Sequence, residues 1–541
     1  MEVTTSLSHL FPYEKDIPPD VRLDGPIAQD TYLVGGELIP WDGPVHEVFS
    51  PVYVQTAAGP APKKLGHFPL LTVEAAHKAL AAAVAAYNNG RGEWPTASVG
   101  WRIAHVEDFI FRMIERKADV VKLLMWEIGK SRQDSEKEFD RTVIYLRDTI
   151  EAYKDLDRAN SRFVIEEGII AQIRRAPLGV ALCMGPFNYP LNETFTTLLP
   201  ALIMGNCVVL KPPKLGVLLF TPLLEAFRDA FPPGVVNIIY GQGREIATPL
   251  MATGQVDILA FIGTSKPADL LKKAHPKPHR LRSVLGLEAK NPAIVLPDAD
   301  LDLTVRECLS GSLSFNGQRC SAIKIIFVHK DIVDAFLEKF TGALAAAKFG
   351  LPWEEGVFLT PLPEPGKPKI LSDFVQDAVA QGAGVVNPGG GAVHHSFFYP
   401  AVVYPVAGAM RLFHEEQFGP VVPVAPFDTL DTPINYIISS NYGQQASIFS
   451  RDPQVIADLI DPLVNQVCRV NINSQCQRGP DTFPWTGRKD SAEATLSVAD
   501  ALRAFSIRTL VAAKATDLNK KIITDIVRGQ KSSFLSTDYI L

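Results

Sequence analysis

Short apolar runs alternate with helical stretches between Gly179 and Val295, and this alternation constrains the fold more than any other feature of the sequence. Runs too short to be helices, separated by helices, are typical of βαβ units. The pattern predicts a parallel sheet covered by helices, with ligands bound at the carboxyl ends of its strands. Four runs are each followed by a turn and a helix-like segment: Val180–Met184, Cys207–Leu210, Val235–Tyr240 and Ile258–Ile262.

Other regions of the chain have different patterns. Residues 70 to 157 predict long helices, because stretches such as Ala75–Ala86 are rich in helix formers. Residues 162 to 174 predict a β hairpin around a Glu-Glu-Gly turn. Near the end, Phe505–Ala512 predicts a lone strand, whose partner is either the early hairpin or another subunit. A second alternating region, from about residue 293 to 485, predicts strands at Ile325–Val328, Val421–Val424 and Arg469–Ile472.

Composition narrows the class of protein. With 541 residues, 47% of them hydrophobic, the chain can fill the cores of two or three domains. The formal net charge is −6 and the basic residues are scattered, which argues against nucleic acid as the main ligand. The first ten residues do not resemble a secretion signal, and no run of about 18 apolar residues occurs. We therefore expect a cytoplasmic protein that does not bind membranes.

The cysteines and histidines predict neither disulfides nor a metal site. Six cysteines stand far apart without CxxC spacing, which favours reduced thiols. The eleven histidines form no HExxH motif, and His394 and His395 are an isolated pair in a Gly-rich loop. We expect no metal.

Two segments carry residues suited to acyl chemistry. In Phe315-Asn-Gly-Gln-Arg-Cys320, Arg319 puts a cation beside the thiol, and an expected loop-to-helix junction supplies amide donors. Both favour the thiolate of Cys320, although a buried, inert thiol is the alternative. In Pro186-Phe-Asn-Tyr-Pro190, Asn188 follows a strand and lies between two prolines. A rigidly held amide can donate to an oxyanion, and a plain turn asparagine is the alternative.

Two turns between a strand and a helix are candidates for phosphate binding, because N–H groups at helix N-termini attract anions. Gly241-Gln-Gly243-Arg-Glu-Ile246 lacks the third glycine of the usual fingerprint, and Phe261-Ile-Gly263-Thr264-Ser265 supplies the second turn. Taken alone, each of these turns is a weak signal.

Together these segments resemble the aldehyde dehydrogenase superfamily from about residue 30 to 515. Four segments occur in the family's order. They are Pro186–Pro190, Val209-Leu-Lys-Pro212, Phe315–Cys320 and Glu415-Glu-Gln-Phe-Gly-Pro-Val421. The resemblance implies an α/β fold with two Rossmann-like parallel-sheet domains, a β-hairpin arm for oligomerisation and a homo-oligomer, either a dimer or a tetramer. The implied boundaries are 1–158 (N-terminal part of the cofactor domain), 159–177 (hairpin), 178–288 (cofactor domain), 289–488 (catalytic domain) and 489–541 (oligomerisation strand and tail).

The resemblance also implies roles for individual residues. Cys320 would be the nucleophile that forms a thioester, and Asn188 with the Cys320 N–H would be the oxyanion hole. Gly263 and Thr264 would lie at the cofactor's pyrophosphate, and Gly243, in the other turn, is a further candidate for cofactor binding. Lys211, Glu416 and Phe418 would contact the cofactor's riboses and nicotinamide ring.

Lys214 decides the expected cofactor. Family members that prefer NAD commonly carry an acidic residue three positions after the lysine that corresponds to Lys211, and this chain has Lys214 there. A cation attracts a 2′-phosphate, by about 4 kcal/mol at 4 Å before desolvation if the effective dielectric constant is near 20. We therefore expect NADP rather than NAD.

Within the superfamily, the chain most resembles the non-phosphorylating glyceraldehyde-3-phosphate dehydrogenases, in Gln477-Arg-Gly-Pro-Asp-Thr-Phe-Pro484 and Gly487-Arg-Lys-Asp-Ser491. The likeness implies oxidation of glyceraldehyde 3-phosphate to 3-phosphoglycerate. Three arginines and a tyrosine make a sensible phosphate cradle, although surface ion pairs are the alternative for any one arginine. The four residues implied are Arg141, Tyr189, Arg319 and Arg478.

The chain departs from the family at the general base. Most members have Glu-Leu-Gly-Gly-Lys, and counting back from Lys290 puts Gly286 at the position of the glutamate. Glu288 lies two residues later. Either Glu288 acts as the base after a local shift of the loop, or another group positions the water, or the acyl group passes to coenzyme A. A catalytically silent nucleotide-binding protein is the remaining alternative.

Overall fold

The structure is a computed structural model that describes residues 7–537. Residues 1–6 and 538–541 lie outside this range. The first ten residues, which were expected not to form a secretion signal, are therefore described only in part, and so is the expected C-terminal tail. In the described part of the chain, none of the helices is both long and apolar enough to span a membrane.

The first sheet has eight strands and contains the four apolar runs that predicted it. Five central strands are mutually parallel, and antiparallel strands cover both edges. The strand predicted over Val235–Tyr240 is shorter and spans Val236–Ile238. In spatial order the strands are Ala492–Glu493, Arg282–Gly286, Ile258–Ile262, Val180–Met184, Cys207–Lys211, Val236–Ile238, Thr31–Val34 and Glu37–Pro40.

Helices cover both faces of this sheet. Val73–Tyr87 packs on the strand Cys207–Lys211 through Ala75, Ala79 and Ala83, which are buried and recur every four residues, so that small side chains line one helix face. The other helices of this region are Glu93–Thr96, Val99–Glu115, Lys117–Ile128, Arg132–Asn160, Asn192–Ile203, Leu224–Ala230, Gly243–Ala252, Ser265–Ala274 and Val498–Ala504.

The second sheet has seven strands, and the prediction of two parallel-sheet units is confirmed. All neighbouring strands are parallel except the first pair. In spatial order they are Gly384–Val385, Ala401–Tyr404, Val421–Phe427, Ile323–His329, Asn291–Val295, Gln445–Phe449 and Arg469–Ile472. The helices of this region are Leu301–Leu313, Val333–Ala345, Lys367–Ala380, Arg411–His414, Asp431–Ser439 and Pro453–Leu463.

A long hairpin near the N-terminus was not predicted. Val45–Thr56 pairs with Gly59–Pro69, and Ile27–Ala28 adds a third strand. The second strand contains three prolines, which argue against a strand in sequence, and two bulges break the alternation of buried residues. Short two-stranded pairings join Val393–His394 to Phe397–Phe398 and Tyr442–Gly443 to Arg488–Lys489.

The predicted hairpin and the lone strand form one three-stranded sheet, which we call the arm. It consists of Phe163–Glu166, Ile169–Pro177 and Ser506–Lys514. Ser506–Lys514 pairs antiparallel with Ile169–Pro177 along its whole length, so its partner is the hairpin of its own chain. Beyond the arm, the helix Asp517–Arg528 buries none of its residues, and the chain then returns so that Leu535 is buried.

The predicted domain division stays a prediction. One observation bears on its last boundary, because Ala492–Glu493 pairs with the first sheet although the boundary assigns it to the C-terminal segment.

Candidate active site

A cavity of about 1140 Å³ lies where the carboxyl ends of the first sheet face the segment that leads into the second sheet. It is lined by Cys320, Asn188 and Glu288, by Lys211, Lys214, Gly263, Thr264, Glu416 and Phe418, and by Arg141, Tyr189, Arg319 and Arg478. Gly243 is not part of this lining. A Cβ there would lie 3.8 Å from Cε of Lys211, so Gly243 is adjacent to a residue of the cavity wall.

Cys320 lies between a tight turn and a strand. The turn Ser314–Gly317 contains Phe315 and Asn316 with φ of 48° and 57°, a left-handed conformation that the Asn316 side chain stabilises by bonding Thr360. The strand Ile323–His329 follows. The expected loop-to-helix junction at Cys320 is therefore wrong, because the helix Leu301–Leu313 precedes the turn rather than following it.

The surroundings of Cys320 set its ionisation. Burial raises the pKa of the Cys320 thiol, the nearby Lys324 ammonium lowers it, and the Glu416 carboxylate raises it. Arg319 instead donates to the carbonyl oxygens of Ser310 and Gly311, at 3.0 and 2.8 Å. Lys324, which the sequence analysis did not single out, is thus a cation that favours the thiolate.

Lys324 and Glu416 form a buried ion pair beside Cys320. The Lys324 Nζ atom lies 2.6 Å from Oε1 of Glu416 and 4.5 Å from the centroid of the Phe418 ring. Their side chains are 1% and 10% exposed, so water screens the pair little. Burial lowers the pKa of Lys324, and the Glu416 carboxylate opposes that effect.

Asn188 is buried at the turn after the strand Val180–Met184. Its Nδ2 donates to the Gln318 carbonyl at 2.8 Å, which ties the turn to the segment before Cys320. The Nδ2 group carries a second proton, which is available to another acceptor.

A second buried ion pair holds this turn in place. Lys130 bonds Glu138 and also donates to the Asn188 carbonyl at 2.8 Å. Glu138 in turn accepts from the N–H groups of Leu191 and Asn192, each at 3.1 Å. Both charged side chains are 0% exposed. Lys130 and Glu138 are only 8 residues apart, but the turn that they hold lies 53 to 58 residues further along the chain, so the sequence did not reveal their role.

Two lysines make one end of the cavity positive. Lys211 is buried and donates to the Pro212 carbonyl at 2.8 Å, and Lys214 is exposed. Burial, and then the charge of Lys214, lower the pKa of Lys211 to about 8. The segment after Lys214 is held by buried Glu127, which accepts from the N–H groups of Val217 and Leu218 at 2.7 and 2.9 Å.

Gly263 and Thr264 lie at the start of the helix Ser265–Ala274. A Cβ at Gly263 would lie 2.3 Å from the Phe261 ring, so a side chain there would displace that ring. Thr264 occupies the N-cap position, without a side-chain cap bond.

Counting back from Lys290 put Gly286 at the position of the general base, but in the structure Glu288, and not Gly286, lines the cavity. A Cβ at Gly286 would contact Ile262 and Leu496, at 3.3 and 3.5 Å, and Gly286 does not line the cavity. Glu288 does line it, but its Oε2 accepts from the Ser265 N–H at 2.8 Å. This bond holds the carboxylate at the N-terminus of the helix Ser265–Ala274.

Two of the three arginines of the predicted cradle, Arg141 and Arg478, bond carboxylates. Arg141 forms two bonds to Asp481, at 2.7 and 2.6 Å. Arg478 bonds Glu193 and lies 3.2 Å from Asp481. Neither Glu193 nor Asp481 was singled out in the sequence, although Asp481 lies inside a segment that carried the resemblance.

Comparison with known proteins identifies relatives of this chain. The sequence model of the Aldehyde dehydrogenase family matches residues 50–511. An NADP-dependent glyceraldehyde-3-phosphate dehydrogenase of Arabidopsis thaliana is 32% identical over 416 residues, which are 75% of this chain and 80% of the plant protein. A protein of the same name from Streptococcus equinus is 34% identical over 64% of this chain and 70% of its own.

A solved structure is similar over nearly the whole fold. It is the NADP complex of an NADP-dependent glyceraldehyde-3-phosphate dehydrogenase from Bacillus halodurans C-125, with a TM-score of 0.83 and 29% sequence identity. The match covers 90% of this chain and 100% of that one.

Proposed function

Because the chain belongs to the aldehyde dehydrogenase family, we propose that it oxidises glyceraldehyde 3-phosphate to 3-phosphoglycerate and reduces NADP⁺, through a thioester on Cys320. The observation that carries the proposal is the single cavity that brings the Cys320 thiol together with Asn188, two lysines and three arginines. The relatives named for this reaction support the choice of substrate and cofactor.

The first half-reaction uses Cys320 and Asn188. The Cys320 thiolate attacks the aldehyde carbon, with Lys324 favouring the ionised sulfur. The second Nδ2 proton of Asn188 and the Cys320 N–H donate to the oxyanion, and losing one such donor costs on the order of 100-fold to 1000-fold in rate. The nicotinamide ring of the bound cofactor supplies the chemistry of hydride acceptance.

The residues of the positive end fit NADP. Lys211 and Lys214 place two cations in the cavity wall at the end of a strand. Lys211 bonds the Pro212 carbonyl and no carboxylate, so its charge is not neutralised. Both side chains suit the hydroxyls and the 2′-phosphate of a ribose. Gly263, Thr264 and the adjacent Gly243 would hold the pyrophosphate, and Glu416 with Phe418 would face the nicotinamide riboside.

Hydrolysis of the thioester would use Glu288 as the base. Glu288 is a carboxylate of the cavity wall, which supports this role, and its bond to Ser265 must open first. Transfer to coenzyme A is the second candidate, because Gly286 supplies no side chain to activate water.

We place the enzyme in the cytoplasm, where thiols stay reduced. All six cysteines are free in the structure, which agrees with a compartment that keeps the Cys320 thiol available.

The test follows NADPH absorbance with glyceraldehyde 3-phosphate, with and without coenzyme A. We expect the wild type to turn over steadily without coenzyme A and Cys320→Ala not to turn over. We expect Glu288→Gln to form one equivalent of NADPH per subunit rapidly and then to release the acyl group from Cys320 slowly. Turnover that requires coenzyme A would replace hydrolysis with acylation. Normal NADPH production by Cys320→Ala would overturn the thioester mechanism.

A further inference from the structure

One end of the active-site cavity is built to hold an anion. Arg141, Arg319, Arg478 and Tyr189 line it together. Arg319 keeps a buried Nε atom that has no hydrogen-bond partner, although its Nη2 is satisfied by two carbonyls. What suits this wall to an anion is the set of three arginines and a tyrosine, since charge-assisted bonds to an anion are the strong ones.

Two carboxylates, Asp481 and Glu193, reduce the positive charge at this end of the cavity. They differ in which arginines they bond and in whether they line the cavity. Asp481 is shared, since it bonds Arg141 twice and lies 3.2 Å from Arg478, and it does not line the cavity. Glu193 bonds only Arg478 among the arginines, and it does line the cavity. An anion that approaches Arg478 therefore meets the carboxylate of Glu193 in the cavity wall.

The charge count fixes what this end can accept. Three arginines and two carboxylates leave one surplus positive charge, and the Lys130–Glu138 pair beside them adds none. The side chains of Glu193, Arg478 and Asp481 are only 5% to 8% exposed, so solvent screens these charges weakly. A singly charged anion neutralises the set, whereas a dianion leaves it negative. Without Glu193 the surplus would be two.

We propose that Glu193 is a specificity-determining residue that tunes the anion site to one negative charge. Aldehydes with a single carboxylate, and glyceraldehyde 3-phosphate with its phosphate singly ionised, bind without a net opposing charge. The phosphate dianion of glyceraldehyde 3-phosphate binds against the charge of Glu193, and therefore with a higher KM. The inference rests on the proposed function in one respect, that the charged end of the aldehyde lies among these arginines. It adds a selection by charge that the cradle of arginines alone does not provide.

Sulfate and sulfamate test the proposal directly. Both are small tetrahedral anions, with two charges and one charge respectively, and neither changes charge near neutral pH. Titration calorimetry of the cofactor-free protein at constant ionic strength gives their affinities. We expect the wild type to bind sulfamate at least as tightly as sulfate, and Glu193→Gln to bind sulfate about tenfold more tightly than the wild type does, with a smaller change for sulfamate.

A matched control is Glu136→Gln, which removes an exposed carboxylate that does not line the cavity and should leave both affinities unchanged. Three results would each overturn the proposal. The first is that the wild type binds sulfate ten times more tightly than sulfamate, the second is that Glu193→Gln leaves the ratio of the two affinities unchanged, and the third is that the protein binds neither anion. If Glu193→Gln does not fold, as judged by circular dichroism, the wild-type ratio decides alone.

Kinetics separate this proposal from the proposed function. In Glu193→Gln, KM should fall about tenfold for glyceraldehyde 3-phosphate, less for a semialdehyde with one carboxylate, and not at all for uncharged glyceraldehyde. A wild type that oxidises none of these aldehydes, yet shows the expected anion ratios, would refute the proposed function and leave the role of Glu193 intact. Equal changes in KM for all three aldehydes would refute that role alone.

Discussion

At the scale of single residues, the reactivity of Cys320 depends on the charge of Lys324. Lys324→Met removes the cation that lowers the pKa of Cys320 and leaves Glu416, which raises it. The pKa of Cys320 should rise further, so less thiolate is present at pH 8 and alkylation by iodoacetamide should slow about tenfold. The rate is measured against pH in a Cys468→Ser background, because Cys468 is more exposed than Cys320 and would react as well.

The charge-preserving variant Lys324→Arg is the control for this measurement. It should keep an alkylation profile near that of the wild type, with its rise at nearly the same pH. If Lys324→Met and the wild type have the same profile while both are folded, Lys324 does not set the ionisation of Cys320.

Lys214 provides the second prediction at this scale. Lys214→Ala should raise KM for NADP⁺ about tenfold and leave KM for NAD⁺ nearly unchanged, because only NADP⁺ carries a 2′-phosphate for the cation to attract. Lys277→Ala removes an exposed lysine that does not line the cavity and should change neither constant. A parallel rise for both cofactors would show that Lys214 does not read the 2′-phosphate.

At the scale of elements, the helix Arg132–Asn160 positions the turn that carries Asn188, through Glu138. Glu138→Gln leaves Lys130 buried without a counter-charge, and breaking such a pair costs about 3–5 kcal/mol of stability. The turn should also loosen, so kcat should fall while KM for the cofactor stays nearly constant. Unfolding in urea and steady-state kinetics give the two quantities.

Glu136→Gln, on the exposed side of the same helix, is the matched control and should change neither stability nor kcat. A Glu138→Gln variant that loses stability but keeps full kcat would show that the pair stabilises the fold without positioning Asn188.

These elements also show what the sequence could and could not predict. The buried strands were predicted because their apolar runs are continuous, and the motifs around Cys320 and Asn188 were recognised because each is local. The strand Gly59–Pro69 of the N-terminal hairpin was missed because prolines hide a strand pattern. Lys130, Lys324 and Glu193 were missed for another reason. Their partners lie 58, 92 and 285 residues away, and only the fold brings such residues together.

At the scale of the whole molecule, the arm predicts that the chain assembles with itself. Large apolar side chains remain exposed on its strands, including Val164, Ile165 and Leu510 at 48%, 62% and 58%, which is typical of a surface that another protein covers. The helix Asp517–Arg528, which follows the arm directly, also exposes Leu518 and Ile522. We expect an oligomer of this chain to bury the exposed apolar side chains of the arm and of this helix.

Leu510→Asp tests that assembly, because a charge in the middle of an apolar contact must be desolvated without a partner. We expect the wild type to sediment as a dimer or tetramer and Leu510→Asp to shift towards a smaller species at the same concentration. Phe111→Asp is the matched control, since Phe111 is similarly exposed, at 65% against 58% for Leu510, but lies on the helix Val99–Glu115 rather than on a strand of the arm. Since Leu510 does not line the active-site cavity, the initial turnover of the smaller species should persist. A wild type that sediments as a monomer, or an unchanged Leu510→Asp, would show that the arm is not the contact between subunits.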